Sequence, residues 1–155
     1  MEPLLSKVNP LRTLHIGFTV KNLDGAVMMF KELLGYEVVS RGTRNPKGVA
    51  RLTGVAGADI IVVHLEHAGL VPVELIQYVA PEGQNSQLRP CDAGFTHLTY
   101  QVADIDAAVA AAAPFGLRPL GEIVGNTRIG QPSSPRVVYL RDSNGVHIEF
   151  VQPDR

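Results

Sequence analysis

Residues 14–20 read LHIGFTV, and residues 96–102 read THLTYQV, a second copy of the same pattern. Both runs combine apolar, β-branched and aromatic residues, which is typical of a β-strand. An Asn or an Asp follows each run where a helix would be capped, at Asn22 and at Asp104. The repetition of a strand and a capped helix indicates an internally duplicated chain.

The segments that follow each cap repeat in the same order. Apolar residues fall on one helical face, and they are Leu23, Val27, Phe30 and Leu34 in the first copy and Ile105, Val109 and Ala112 in the second. Gly35 and Gly116 stand where a left-handed helix end is expected. Three strand candidates complete each copy, at 37–43, 59–65 and 73–79 and then at 118–123, 136–140 and 146–152. The sequence therefore predicts an α+β fold of two βαβββ modules, about 12–80 and 94–152, in a single domain over 1–155.

Three connections carry turn-forming residues. Residues 142–145 read DSNG, which predicts a hairpin loop between the last two strands. Residues 80–94 form the linker between the modules. Residues 44–57, rich in Gly, Pro and Asn, predict a long loop inside the first module, where long loops are often functional or mobile.

One His and one Glu recur at matching places in the two modules. His15 and His97 lie on the first strands, and Glu74 and Glu149 lie between apolar residues on the last strands. A single strand His is usually structural, and a Glu can face water from an amphipathic strand. Four such residues related by a pseudo-twofold axis can instead converge on one point. Imidazole nitrogens and carboxylate oxygens without a thiolate suit one divalent metal ion, namely Zn, Ni, Co, Mn or Fe.

Other polar residues have weaker claims to a functional role. His64 and His67 are predicted to be surface or loop residues rather than acid–base groups or ligands. His147 shares a strand face with Glu149 and is interpreted either as a neighbour of the metal site or as a rim residue. Cys91 has no surrounding nucleophile pattern and is predicted to be a passive thiol. Anion binding or simple solvation remains open for several basic residues: Arg128, Arg136, Arg141 and the segment 44–47.

The composition argues against several functional classes. The net charge is −1 with both signs mixed, so no basic stripe for nucleic acid is predicted. The sequence contains no run of about 18 apolar residues, so no membrane span is predicted. The first residues do not have the pattern of a signal peptide. The single cysteine fits a reducing compartment, so a cytoplasmic location is expected.

Over residues 12 to 152 the chain resembles the vicinal oxygen chelate superfamily, which includes glyoxalases, methylmalonyl-CoA epimerases, extradiol dioxygenases, fosfomycin resistance enzymes and bleomycin-binding proteins. The motifs are LHIGFTVKNLD (14–24), FKELLGYEVV (30–39), VELIQY (73–78), HLTYQVADID (97–106) and YLRDSNGVHIEF (139–150). The resemblance implies an open, cup-shaped mixed sheet with helices outside. It also implies metal ligation by His15, Glu74, His97 and Glu149, a small-molecule substrate and a homodimer.

The resemblance implies a metal-dependent lyase or isomerase of the glyoxalase type. In that chemistry the metal binds substrate oxygens and acidifies a neighbouring C–H, and a carboxylate moves the proton. Glu149 is predicted to be both ligand and base. The first alternative is a non-catalytic protein that sequesters a drug or natural product, and the second is an extradiol-type dioxygenase. Dioxygenases and fosfomycin-type enzymes use three ligands, so a fourth ligand at Glu74 argues against both.

Two positions depart from the epimerase pattern of the family. Its epimerases place a second catalytic Glu just before the third strand, whereas residues 54–58 here read GVAGA. They also usually carry Gln at the position of Glu74. These differences argue against methylmalonyl-CoA epimerisation and against simple epimerisation in general.

Overall fold

A computed structural model describes residues 7–8, 10–125 and 135–154. The strands and helices, in chain order, are β1 (Ile16–Thr19), α1 (Leu23–Met28), β2 (Glu37–Thr43), α2 (Pro46–Thr53), β3 (Asp59–Glu66), β4 (Val73–Ala80), β5 (Leu98–Gln101), α3 (Ile105–Ala112), β6 (Arg118–Pro119), β7 (Arg136–Arg141) and β8 (His147–Gln152). A π-helical turn extends α1 over Met29–Leu33, and a 3₁₀ turn extends α3 over Ala113–Phe115. None of the helices in these ranges is long and apolar enough to cross a membrane.

The strands form two four-stranded sheets of the same topology. Their orders are β1-β4-β3-β2 and β5-β8-β7-β6. The first strand of each module is parallel to its last strand, and the other pairs are antiparallel. The predicted α+β duplication of βαβββ modules is therefore confirmed.

The helix ends follow the predicted chemistry. The side chains of Asn22 and Asp104 each accept a hydrogen bond from the backbone N–H three residues later, at 2.9 and 3.0 Å. These caps satisfy N–H groups that have no partner inside the helix. Gly35 and Gly116 adopt positive φ angles of 75° and 79°, which a residue with a Cβ rarely adopts.

The prediction of a long loop at 44–57 was wrong, because this segment contains helix α2. The Asn45 side chain accepts a hydrogen bond from the Gly48 N–H at 3.1 Å and so caps the helix. Pro46 occupies the first turn, where its missing N–H costs nothing, and Gly54 ends the helix at φ 72°. The Asn, Pro and Gly residues that suggested a loop serve as start and stop signals of a short helix.

The strand predicted at 118–123 is shorter than expected. Only Arg118–Pro119 pair as β6, and Val124 then makes an isolated bridge to Val137. The hairpin loop predicted at 142–145 is confirmed, with Gly145 at φ 81°.

Two hydrophobic clusters lie on opposite faces of the sheets. The larger joins α1 and α3 to both sheets, with Phe30, Leu75, Ile105 and Phe150 almost fully buried. The smaller cluster, around Val49 of α2, lies on the other face of the first sheet, because alternate residues of a strand point to opposite sides. The first module therefore has a helix on each face of its sheet, α1 on one and α2 on the other. The repeat predicted α1 and α3 but not α2.

Among the described residues, hydrogen bonds join the modules at Tyr36 with Tyr100 and at Asn144 with the start of α1. The Tyr36 hydroxyl lies 3.0 Å from the Tyr100 hydroxyl and donates to the Val71 carbonyl, also at 3.0 Å. Burial raises the pKa of both tyrosines, so both hydroxyls stay protonated. The Asn144 side-chain oxygen accepts hydrogen bonds from the Lys21 and Asn22 N–H groups at 3.0 and 2.8 Å. The loop between β7 and β8 is thereby tied to the start of α1.

Replacing Asn144 by Ala should lower the free energy of unfolding by about 1–2 kcal/mol, because two backbone N–H groups lose their acceptor. Urea denaturation followed by circular dichroism would measure the change. Ser143→Ala, in the same turn, is the matched control and should leave the midpoint unchanged. Equal midpoints for both variants would show that the junction does not depend on this contact.

Candidate metal centre

Parallel pairing of β1 with β4 brings His15 to Glu74. Gly17 lies directly opposite Glu74, and a Cβ at Gly17 would lie 3.8 Å from the Glu74 Oε1. The glycine thus leaves one side of the carboxylate open to His15, whose Nε2 is 3.6 Å from the same oxygen. The Glu74 side chain is 19% exposed, so it is largely shielded from water.

His64 belongs to this site, and its predicted position on the surface or in a loop was wrong. It lies on β3, directly opposite Glu74, and its Nε2 is 2.8 Å from the Glu74 Oε2. Its Nδ1 is 3.0 Å from the Ser40 hydroxyl. His15, His64 and Glu74 each offer a ligand atom within 4.8 Å of the other two.

The second module brings His97 to Glu149 in the same way. The His97 Nε2 lies 3.6 Å from the Glu149 Oε2, as in the first pair. The Thr99 hydroxyl donates a 2.6 Å hydrogen bond to the same oxygen. Tyr139 lies opposite Glu149 on β7, and its ring meets the His97 ring edge-on at 4.9 Å. Burial and the Glu149 charge raise the pKa of Tyr139, so its hydroxyl remains a proton donor.

The two modules differ at the positions that face each glutamate. His64 of the first module corresponds to Tyr139 of the second, since both stand opposite the glutamate on the neighbouring strand. A signal for this exists in the sequence, because each precedes its glutamate by ten residues. Gly17 corresponds to Thr99 on the other side. The duplicated sites have therefore acquired different hydrogen-bonding groups.

The structure places the four predicted ligands in two pairs, His15 with Glu74 and His97 with Glu149. A cavity of ≈ 380 Å³ is lined from both modules, by Thr19 and Tyr78 of the first and by His147 of the second, among others. By strand alternation these residues share the faces of the two pairs. None of the four predicted ligands is among the described residues that line this cavity, and convergence of all four side chains on one ion stays a prediction.

The donor atoms fit a divalent metal ion. The first module offers two imidazole nitrogens and a carboxylate, and the second offers one of each, with no thiolate. This nitrogen and oxygen set is the one that zinc, nickel, cobalt, manganese and iron accept. Ligand atoms of His15, His64 and Glu74 already lie within 4.8 Å of one another, so little rearrangement is needed to bind an ion there.

His147 is buried at 4% exposure, so its interpretation as a rim residue was wrong. Its Nδ1 lies 3.1 Å from the Thr96 carbonyl oxygen, which can only accept a hydrogen bond, so Nδ1 carries the proton. Burial lowers the pKa of His147, which favours the neutral ring. The ring packs on Phe95 with centroids 4.2 Å apart, and His97 follows two residues later, just before β5.

The remaining candidates lie outside these pairs. His67 is exposed as predicted and contacts the Ala68 carbonyl. Arg136 binds Asp106 of α3 at 2.6 Å, and Arg141 donates to the Leu88 carbonyl at 3.3 Å. Arg44 donates to its neighbouring carbonyl, at Thr43, and residues 46–47 begin α2. Cys91 is exposed, and Arg128 falls outside the described residues.

Comparisons with known proteins cover most of the chain. Residues 14–133 match the family model described as the glyoxalase/bleomycin resistance protein/dioxygenase superfamily. The chain is 31% identical over 141 residues to a 2-epi-5-epi-valiolone epimerase from an Actinomyces species, covering 88% of this chain and 76% of the relative.

Two solved structures illustrate the shared fold. A glyoxalase family protein from Bacillus cereus superposes with a TM-score of 0.80 at 22% identity, covering 96% of this chain and 97% of its own. A mutant fosfomycin resistance protein from Listeria monocytogenes, complexed with Mn(II) and a dihydroxypropylphosphonic acid, has a TM-score of 0.60 at 14% identity, covering 92% and 90%. At these identities the similarity establishes the fold.

Proposed function

Because the chain belongs to the glyoxalase/bleomycin resistance protein/dioxygenase superfamily, we propose that it is a divalent-metal-dependent isomerase. Its substrate is a small oxygenated molecule that loses and regains a proton beside a carbonyl group. The observation that carries the proposal is the recurrence of one His–Glu pair, at the same 3.6 Å separation, in each of the two modules.

His15, Glu74, His97 and Glu149 would hold the ion, which is Zn, Ni, Co, Mn or Fe. When bound, a divalent ion supplies a Lewis acid that polarises a substrate carbonyl and so acidifies the adjacent C–H. The Mn(II) in the fosfomycin resistance protein of the same fold supports a divalent ion in this chain. His64 holds the Glu74 Oε2 at 2.8 Å, which leaves Oε1 directed toward His15.

Glu149 is the residue that we propose takes the proton from carbon. The Thr99 hydroxyl donates to its Oε2 and fixes the orientation of the carboxylate. The Tyr139 hydroxyl, held protonated beside this charge, offers a second donor on the same side. These contacts keep the carboxylate in one position while the substrate binds, which limits the reorganisation needed for proton transfer.

Epimerisation needs a second group that returns the proton to the opposite face of the carbon. Residues 54–58 offer no carboxylate for this, which earlier argued against epimerisation. The relative named for an epimerase reaction, at 31% identity, supports epimerisation nevertheless. We propose the His64–Glu74 pair, whose Nε2 and Oε2 atoms are 2.8 Å apart, as the proton-transfer group of the first module.

Deuterium exchange tests the proposal directly. The protein, loaded with Zn²⁺, Mn²⁺ or Ni²⁺ in turn, is incubated in D₂O with 2-epi-5-epi-valiolone, a ketone, and followed by proton NMR. We expect loss of the signal of the proton beside the carbonyl, and no loss after treatment with a chelator. Absence of exchange here and with other ketones and 2-oxo acids would contradict the isomerase and favour a sequestering protein. Homodimer formation stays a prediction, which sedimentation equilibrium would measure.

A further inference from the structure

The edge of the first sheet carries a row of three hydrogen-bonded side chains. Ser40 on β2 stands opposite His64 on β3, which stands opposite Glu74 on β4, so all three share one face of the sheet. The Ser40 hydroxyl oxygen lies 3.0 Å from the His64 Nδ1, and the His64 Nε2 lies 2.8 Å from the Glu74 Oε2. The row therefore connects an exposed serine to a largely shielded carboxylate.

A break in the strand register places Ser40 in this row. Val38 pairs with Leu65 before the break. In a regular ladder the next residue, Val39, would then stand opposite His64. The register instead shifts by one residue, so that Ser40 takes that place and Val39 is left 58% exposed. Bulges of this kind disrupt the ladder locally and often re-aim a side chain beside an active site. The irregularity thus brings a hydroxyl group, rather than an isopropyl group, to the imidazole.

The second module carries a leucine at the corresponding place. Tyr139 stands opposite Glu149, and the backbone N–H that donates to the Tyr139 carbonyl, at 2.8 Å, belongs to Leu120. The Leu120 side chain has no hydrogen-bonding group. Extension of the row by a serine is therefore a property of the first module, where the residue that faces the glutamate is an imidazole with a second nitrogen to satisfy.

The contacts at both ring nitrogens define what His64 does. A carboxylate oxygen can only accept a hydrogen bond, so the Nε2 carries the proton that it donates to Glu74. In the neutral ring the Nδ1 is then an acceptor, and the Ser40 hydroxyl donates to it. While the Nε2 donates, it has no lone pair for an ion. In this arrangement His64 therefore orients Glu74, although its Nε2 lies near the same ligand atoms.

We propose that Ser40 is a positioning residue for the candidate metal centre, and that it acts on Glu74 through His64. The His64 side chain is 32% exposed, so without a second contact its ring can turn toward solvent. Held at both nitrogens, the ring keeps the Glu74 Oε2 engaged and leaves Oε1 free on the side of His15. The inference rests on the proposed function in one respect, namely that the free oxygen binds the ion.

The first measurement uses metal-free protein labelled with ¹⁵N and ¹³C. At about pH 8.5, where histidine side chains are ordinarily neutral, NMR follows the His64 ring nitrogens and the Glu74 carboxyl carbon. The variants His64→Gln and Glu74→Gln identify these signals by their loss. Ser40→Ala should shift both, and Ser40→Thr, which keeps the hydroxyl, should restore them. Thr43→Val removes an exposed hydroxyl from the same strand and is the matched control, with both signals unchanged.

The second measurement is the Zn²⁺ affinity, by competition with a chromophoric chelator. Ser40→Ala should weaken Zn²⁺ binding about tenfold, the lower end of the usual effect of residues that surround a ligand. Ser40→Thr and Thr43→Val should bind Zn²⁺ as the unchanged protein does. If Ser40→Ala does not fold, Ser40→Cys takes its place, because a thiol is of similar size and donates only weakly.

The outcomes separate this inference from the metal chemistry. Unchanged His64 and Glu74 signals in Ser40→Ala would overturn the positioning role, and so would shifted signals with an unchanged Zn²⁺ affinity. Failure of the unchanged protein to bind Zn²⁺ would contradict the metal-dependent function instead. In that case the Glu74 carboxyl signal alone decides whether Ser40 positions the carboxylate, since it is measured without metal.

Discussion

Replacing Glu149 by Gln should slow deuterium exchange by about 10²–10⁴-fold, the usual contribution of a positioned general base. The amide has the shape of the carboxylate and can still accept the hydrogen bond from Thr99, so the sheet should fold unchanged. It has no basic lone pair to take the proton from carbon. The exchange rate is measured by NMR with saturating metal, so that weaker metal binding does not account for the loss.

Glu122→Gln supplies the matched control for that variant. Glu122 and Glu149 line the same cavity of ≈ 560 Å³. Glu122 lies after β6 and belongs to neither His–Glu pair. Its replacement removes one negative charge from the same cavity and should leave the exchange rate unchanged. An active Glu149→Gln variant, or equal losses in both variants, would assign the base to another residue.

Loss of one ligand from either module should release the metal. Glu74→Ala and His97→Ala should each weaken Zn²⁺ binding by roughly 100-fold or more, because a few ligands share a binding free energy on the order of 10 kcal/mol. His64→Ala should weaken it about 10–100-fold, as is usual for a residue that orients a ligand. Competition with a chromophoric chelator measures all three affinities.

The ranking of these variants distinguishes two arrangements of the site. If His97→Ala binds Zn²⁺ normally while His15→Ala and His64→Ala do not, the ion is held by the first module alone, within the group His15, His64 and Glu74. Equal losses for Glu74→Ala and His97→Ala support one ion shared between the modules. Tyr139→Phe, at the position that corresponds to His64, is the control and should retain the metal.

Local patterns in the sequence were sufficient to predict the duplicated fold. Asn22 and Asp104 cap their helices through contacts within three residues, and Gly35 and Gly116 end them, so each signal acts over a short distance. Helix α2 was missed because Pro46 and Gly54, which start and stop it, are also typical of loops, and because Gly48 lowers its intrinsic helix propensity. Its stability comes instead from the packing of Val49 on strands that are distant in the sequence.

The proximity of His15 to Glu74 and of His97 to Glu149 was predictable for a related reason, while their role as metal ligands stays a prediction. The matching His and Glu of each module could be identified because the duplication displays them twice. His64 could not be placed from its neighbours, because its role depends on the register of β3 against β4. Such a register is set by the pairing of whole strands, and a slip of one residue would turn His64 to the opposite face.

The differences between the two modules bear on stereochemistry. A cup made from two identical halves would present the same groups to both sides of a flat reacting carbon, and it could not tell those sides apart. Here Glu74 contacts His64 and lies beside a patch covered by α2, whereas Glu149 stands opposite Tyr139 and lines a cavity of ≈ 560 Å³. Under the proposed function, these unequal halves would give the site a handedness that directs where a proton leaves and where it returns.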